Sequence, residues 1–162
     1  MAFFKMNNTV QFIKNWLPAI LWIICIFVLS TGSFSAENTY RILVPILRFF
    51  IPHITAAEVY TIHFFVRKAA HVTEYCIAGL LLFHSFHNTM RSDKPWRWVL
   101  YSLLLIIFIA ATDEYHQSFV ATRTSSMIDV GIDFVGGIIG QGVSVIFYKF
   151  RFARKIKMEP IL

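Results

Sequence analysis

RKAAHVTEY, residues 67–75, gathers Arg67, Lys68, His71, Glu74 and Tyr75 into two helical turns and a half. Arg67, His71 and Glu74 stand at i, i+4 and i+7, hence on one helix face, with Lys68 and Tyr75 on the adjoining stripe. A second block, DEYHQ, sets Asp113 three and four residues before His116 and Gln117, and Glu114 three before Gln117. A third, MIDVGID, carries Asp129 and Asp133 one turn apart. Three kinds of chemistry suit these types. Arg67, Lys68 and Arg123 can bind phosphate or carboxylate. His71-x-x-Glu74 and Asp113-x-x-His116 are histidine–carboxylate pairs of the kind by which facing helices hold a divalent metal, with Glu114 as base toward a bound water. Salt bridges that only register helices are the third.

The elements that must position these blocks are apolar. Of 162 residues, 57% are hydrophobic and 15% charged, which marks an integral membrane protein rather than a soluble one. A helix needs about 17 to 25 mostly apolar residues to cross the hydrocarbon. Four stretches qualify, 15–31, 68–88, 96–114 and 127–148, and together predict one all-α domain over 1–162: a four-helix transmembrane bundle. Between the first two spans, RILVPILRFFIPHI suits an interfacial segment, and Thr55-Ala-Ala-Glu58 has the form of a capping box opening a helix that runs into the second span.

The first span has a rival reading as a signal peptide cleaved near Ser33-Phe-Ser-Ala36, although Trp16, Trp22 and the long leader suit an anchor better. With four spans, one side receives Lys5, Lys14, Arg91, Lys94, Arg97, Lys149, Arg151, Arg154, Lys155 and Lys157, and the other Arg41, Arg48, Arg67, Lys68 and Arg123. That asymmetry places both termini in the cytoplasm. The net charge of +6 then reads as topology and attraction to anionic lipid, with no nucleic-acid partner implied. Cys25 and Cys76 lie in apolar runs and predict neither disulfide nor metal site. His84 and His87 read as interfacial; no chemistry is expected of His53 and His63.

In this topology all three polar blocks meet at the outer membrane face. Asp129, Asp133, Gly136, Gly140 and Ser144 follow one stripe, so the small residues that admit a neighbouring helix also turn both aspartates toward protein. Five acids, Glu74, Asp113, Glu114, Asp129 and Asp133, stand against Arg67, Lys68 and Arg123. Buried ions persist when paired, protonated or bound to something. Two negative charges are left to be compensated.

RKAAHVTEYCIAGLLL followed by DEYHQSFVATRTSSMIDVGIDFVGG resembles the VanZ-like family of small bacterial membrane proteins. That family's pattern is Arg-Lys-x-x-His-x-x-Glu-Tyr, then Asp-Glu-x-x-Gln, an arginine, and an aspartate leading into a glycine-rich helix. The resemblance runs from about residue 16 to 148 and carries over to Arg67, Lys68, His71, Glu74, Tyr75, Asp113, Glu114, Gln117, Arg123 and Asp129. Thr122 stands where the pattern has glycine, and Asp133 where it has asparagine; His116 lies outside it. The family is named for a protein giving low-level teicoplanin resistance. The resemblance therefore implies an outward polar pocket, formed by those residues and Asp133, for a lipid head group or lipidated glycopeptide, without a cofactor. The alternative is an envelope-lipid hydrolase or transferase using His71, Glu74, Asp113 and Glu114, with divalent metal on His71, Glu74, Asp113 and His116. No motif speaks to oligomeric state.

Overall fold

The computed structural model describes residues 8–90, 94–121, 123 and 125–158; Lys5, Arg91, Asp93 and Thr122, which entered the sequence reading, lie outside them. Five α-helices follow in order: α1 (Asn8–Leu29), α2 (Ala36–Phe50), α3 (Ala56–Thr89), α4 (Pro95–Gln117) and α5 (Met127–Met158), with a short 3-10 turn at Gly32–Phe34. There is no strand among the described residues.

Thr9–Leu29, Pro95–Gln117 and Met127–Arg151 are long and apolar enough to cross a membrane, which makes this a membrane protein. The expected fourth span, within α3, falls short of that standard. Arg67, Lys68 and Glu74 in its middle and His84 and His87 near its end dilute the apolar run of a helix that is long enough, at 34 residues.

α3 begins as its sequence requires. The Glu58 carboxylate accepts from the Thr55 amide at 2.8 Å, and the Glu58 amide donates to the Thr55 hydroxyl at 3.3 Å, closing both halves of the capping box. The Thr55 amide and then its hydroxyl hold the Glu58 carboxyl below its usual range. α4 opens with Pro95 in its first turn, where a missing N–H costs nothing. α2 ends at Phe50, just before Ile51-Pro52, a dipeptide that disfavours helix. The segment expected to lie in the interface is thus helical as far as Phe50, and none of the residues of α2 is buried.

α3 is the axis of the packing. α1 runs antiparallel to it: the Trp22 indole donates to the Glu74 carbonyl at 2.8 Å, and the Ser85 hydroxyl to the Asn15 carbonyl at 2.8 Å. α5 runs parallel to α3, and the expected glycine stripe sets the spacing. A Cβ on Gly136 would meet the Val72 carbonyl oxygen at 2.5 Å, and one on Gly140 would collide with the Cys76 carbonyl oxygen. Gln141 adds a hydrogen bond to the Gly79 carbonyl at 2.8 Å. At the far end His87 packs between Trp98 of α4, at 4.6 Å between ring centres, and Tyr148 of α5, at 5.3 Å. Apolar contact among Ile26, Tyr75, Leu82, Ile106 and Ala110 fills the middle.

Candidate functional site

The glycine contacts fix which α5 residue meets which α3 residue, and two charge pairs follow from that register. Lys68 pairs with Asp129, and His71 Nδ1 lies 3.0 Å from Asp133 Oδ1. Asp133 has no solvent exposure, yet its Oδ2 is left without a hydrogen-bond partner. Lys68 also lies over the ring of Phe64. It does not reach the anion site expected of it, because Asp129 takes its charge.

Two further ions serve helix ends. The Arg123 guanidinium donates to the Leu29 carbonyl at 2.5 Å and to the Thr31 carbonyl at 3.1 and 3.3 Å, so it caps the C-terminus of α1. Burial, and then the charge of Arg67, hold Arg123 below the usual guanidinium range. Glu114 accepts from the Ser126 amide at 2.7 Å and so brings its negative charge to the N-terminus of α5. Gln117 donates to Asp113 Oδ2 at 3.1 Å.

With Lys68, Asp129, His71 and Asp133 paired, and Arg123 and Glu114 on helix ends, three ions of the cluster remain: Arg67, Glu74 and Asp113. All three line one cavity of about 240 Å³ bounded by α1, the Gly32–Phe34 turn, α2, α3, α4 and the Arg123 loop, together with His71, Gln117 and Arg123. Among the described residues Arg67 Nη1 and Asp113 Oδ1 have no hydrogen-bond partner, and Asp113 is only 2% exposed. A buried polar atom left bare costs about 1–3 kcal/mol, more if charged, so these atoms favour a polar occupant.

Of the residues expected to bind, Arg67, His71, Glu74, Asp113, Gln117 and Arg123 thus line the cavity. Lys68, Tyr75, Glu114, Asp129 and Asp133 do not line it. Tyr75 is fully buried with its hydroxyl unpartnered. The alternative metal set is not assembled. His116 is exposed, with the Phe27 ring edge-on at 6.2 Å, while His71 is committed to Asp133. Among the described residues no group of three or more His, Cys, Asp or Glu is placed to hold a metal ion.

Several lining residues escaped the sequence reading. Ile26, Leu29 and Ser30 come from the end of α1, and Thr39 from α2. Thr39 Oγ1 also lies 2.8 Å from His63 Nε2, and Tyr40 packs edge-on to the same ring. His63, from which no chemistry was expected, fastens α2 to α3. A lone histidine beside a threonine 24 residues away has no sequence signature.

These features define a small helical membrane protein whose polar cluster encloses a cavity. The VanZ/LLP1 family profile matches residues 15–148, most of the chain, and the protein belongs to that family. No curated protein and no solved structure matches it.

Proposed function

We propose that the chain is a four-span protein of the bacterial cytoplasmic membrane, both termini cytoplasmic, whose outward cavity binds a lipid head group or the polar part of a lipidated glycopeptide. The observation that carries this is the leftover charge. Among the described residues, the three ions of the cluster that neither pair with an opposite charge nor cap a helix end, Arg67, Glu74 and Asp113, all line one cavity. Size favours a head group: about 240 Å³ is below the roughly 300–1,000 Å³ typical of drug-sized ligands. A whole glycopeptide does not fit. Its effect, the low-level teicoplanin resistance suggested by the VanZ-like resemblance, would come through the lipid it shares the membrane with, and the site needs no metal.

The parallel register supports α3 as the fourth span. From Lys68 beside Asp129 to His87 beside Tyr148, both helices advance 19 residues. At 1.5 Å per residue that is about 28 Å, close to the hydrocarbon thickness. If α5 crosses, α3 crosses with it. The lysine and arginine asymmetry supports the orientation. Reporters after Leu162 and near Asp93 should then read cytoplasm, and labels at Asn38 and Ser118 should react from outside; the reverse pattern overturns the topology.

For function, Glu74→Gln and Asp113→Asn should abolish a glycopeptide phenotype in cells while membrane insertion persists. Loss of the protein from the membrane would instead assign the cluster to folding alone. A second reading, envelope-lipid hydrolysis or transfer, is favoured by one contact: the His71–Asp133 pair orients a histidine at the cavity wall beside Glu74. Turnover of a labelled lipid by purified protein, lost in His71→Gln, would select it over binding.

A further inference from the structure

The polar cavity does not end at Arg67. A second, apolar space of about 210 Å³ lies between α2 and α3, walled by Ile42, Leu43 and Ile46 on one side and Val66 on the other. The two spaces share Thr39, Arg67 and Ala70. They therefore adjoin along the protein, with the Arg67 guanidinium on the border. Glu74 and Asp113 line only the polar part.

The linings have an order: hydrocarbon wall, then the Arg67 guanidinium on the border, then the carboxylates of Glu74 and Asp113. Two guanidiniums, Arg67 and Arg123, and two carboxylates, Glu74 and Asp113, share this lining, so the polar end offers partners to both signs of charge. A plain anionic lipid would satisfy Arg67 and oppose Glu74 and Asp113. A zwitterion whose positive end lies farthest from its chains would satisfy all three.

We propose that the site takes an aminophospholipid, with an acyl chain in the α2–α3 groove, the phosphate on Arg67 and the amine against Glu74 and Asp113. This rests on the reading of the cavity as a head-group site and adds the lipid class and the route of the chain. Arg123 lines the same cavity and feels the charge of Arg67 as well as those of Asp113 and Glu74, so a phosphate beside the two guanidiniums relieves their mutual repulsion. The lipid enters sideways from the bilayer, because the groove opens between two helices whose outer faces are apolar and exposed, as at Ile42, Ile46 and Val66.

The full chain, purified in detergent, is titrated with dioctanoyl phosphatidylethanolamine and dioctanoyl phosphatidylglycerol, and bound lipid is counted by native mass spectrometry. These lipids share chains and phosphodiester and differ in the amine. The expected result is about a tenfold preference for the ethanolamine lipid, lost in both Glu74→Gln and Asp113→Asn. Val66→Trp, a change at a half-exposed position that fills the groove, should weaken both lipids by about tenfold. Equal binding of the two lipids by the unaltered protein, or unchanged binding in Val66→Trp, overturns the assignment. If Arg67→Gln weakens both lipids while the amine makes no difference, the aminophospholipid falls and the head-group cavity stands. If Arg67→Gln, Glu74→Gln and Asp113→Asn all leave both lipids bound as before, the cavity reading falls as well.

Discussion

His71 on α3 and Asp133 on α5 meet at 3.0 Å because Gly136, three residues on from Asp133, rests against the backbone of Val72, the residue after His71. The pair is thus a product of helix spacing as much as of charge. Asp133→Asn, which installs the residue the VanZ-like pattern has here, keeps an acceptor for the ring. Asp133→Ala strands a buried imidazole, at a cost of about 1–3 kcal/mol. Thermal unfolding in detergent should rank the asparagine variant above the alanine variant; the opposite order would show that the carboxylate only burdens the fold.

Gly136→Ala and Gly140→Ala should each destabilise by about 1–3 kcal/mol, since a methyl there is driven into α3 backbone that has nowhere to go. Gly131→Ala and Gly142→Ala meet nothing within 4 Å and serve as controls. They should be neutral or slightly stabilising, because alanine is the better helix former. Equal melting temperatures in all four would disprove the close packing of α3 on α5.

Arg123→Ala removes the donors that hold the loop onto the end of α1. With hydrogen bonds from a charged group worth about 1.5–3 kcal/mol, loss of stability should fall in that range. Arg41→Ala breaks only an exposed pair with Glu37 on α2 and should change stability by less than about 0.5 kcal/mol. Chemical unfolding of the two variants side by side decides it.

Low pH should loosen α2. Burial, then the charge of Arg67, hold His63 below its ordinary value of 6.5, so the docked helix covers a neutral ring, with Thr39, Tyr40 and Arg67 as its polar neighbours. When α2 lifts, the part of the depression due to burial is relieved and the ring binds a proton more readily, while Arg67, on the same helix, stays beside it. The undocked state then binds more protons below about pH 6.5, and docking weakens as pH falls from there toward the depressed value. Amide exchange across residues 36–50, corrected for intrinsic rate, should quicken by about pH 5, and His63→Asn should flatten the response.

Much of this arrangement is legible from spacing alone. The i, i+4 and i+7 positions of Arg67, His71 and Glu74 did place all three on the cavity wall, and the glycine stripe did turn Asp129 and Asp133 toward α3. The Thr55–Glu58 box opened its helix as written. What escaped has a common cause. Arg123 donates to main-chain carbonyls more than 90 residues away, Glu114 accepts from a main-chain amide, and backbone atoms carry no residue code. Lys68 and Arg67 are neighbours of like charge, yet only one is spent in an ion pair; which one depends on the α3–α5 register. α3 defeats a hydropathy count because the charges that make the site are inside the segment that must carry them.

Among the described residues α2 is the one α-helix with no buried residue of its own, yet it forms one wall of the groove that adjoins the cavity. Helix elements with so little buried surface open on their own, far more often than the whole molecule unfolds. If the cavity holds a lipid as proposed, its residence time would be set by α2 and its equilibrium affinity by Arg67, Glu74 and Asp113. Substitutions along Ile42, Leu43 and Ile46 would change how quickly a bound molecule exchanges with the bilayer while leaving its identity alone, so a phenotype governed by exchange can drift without any change in the charged residues.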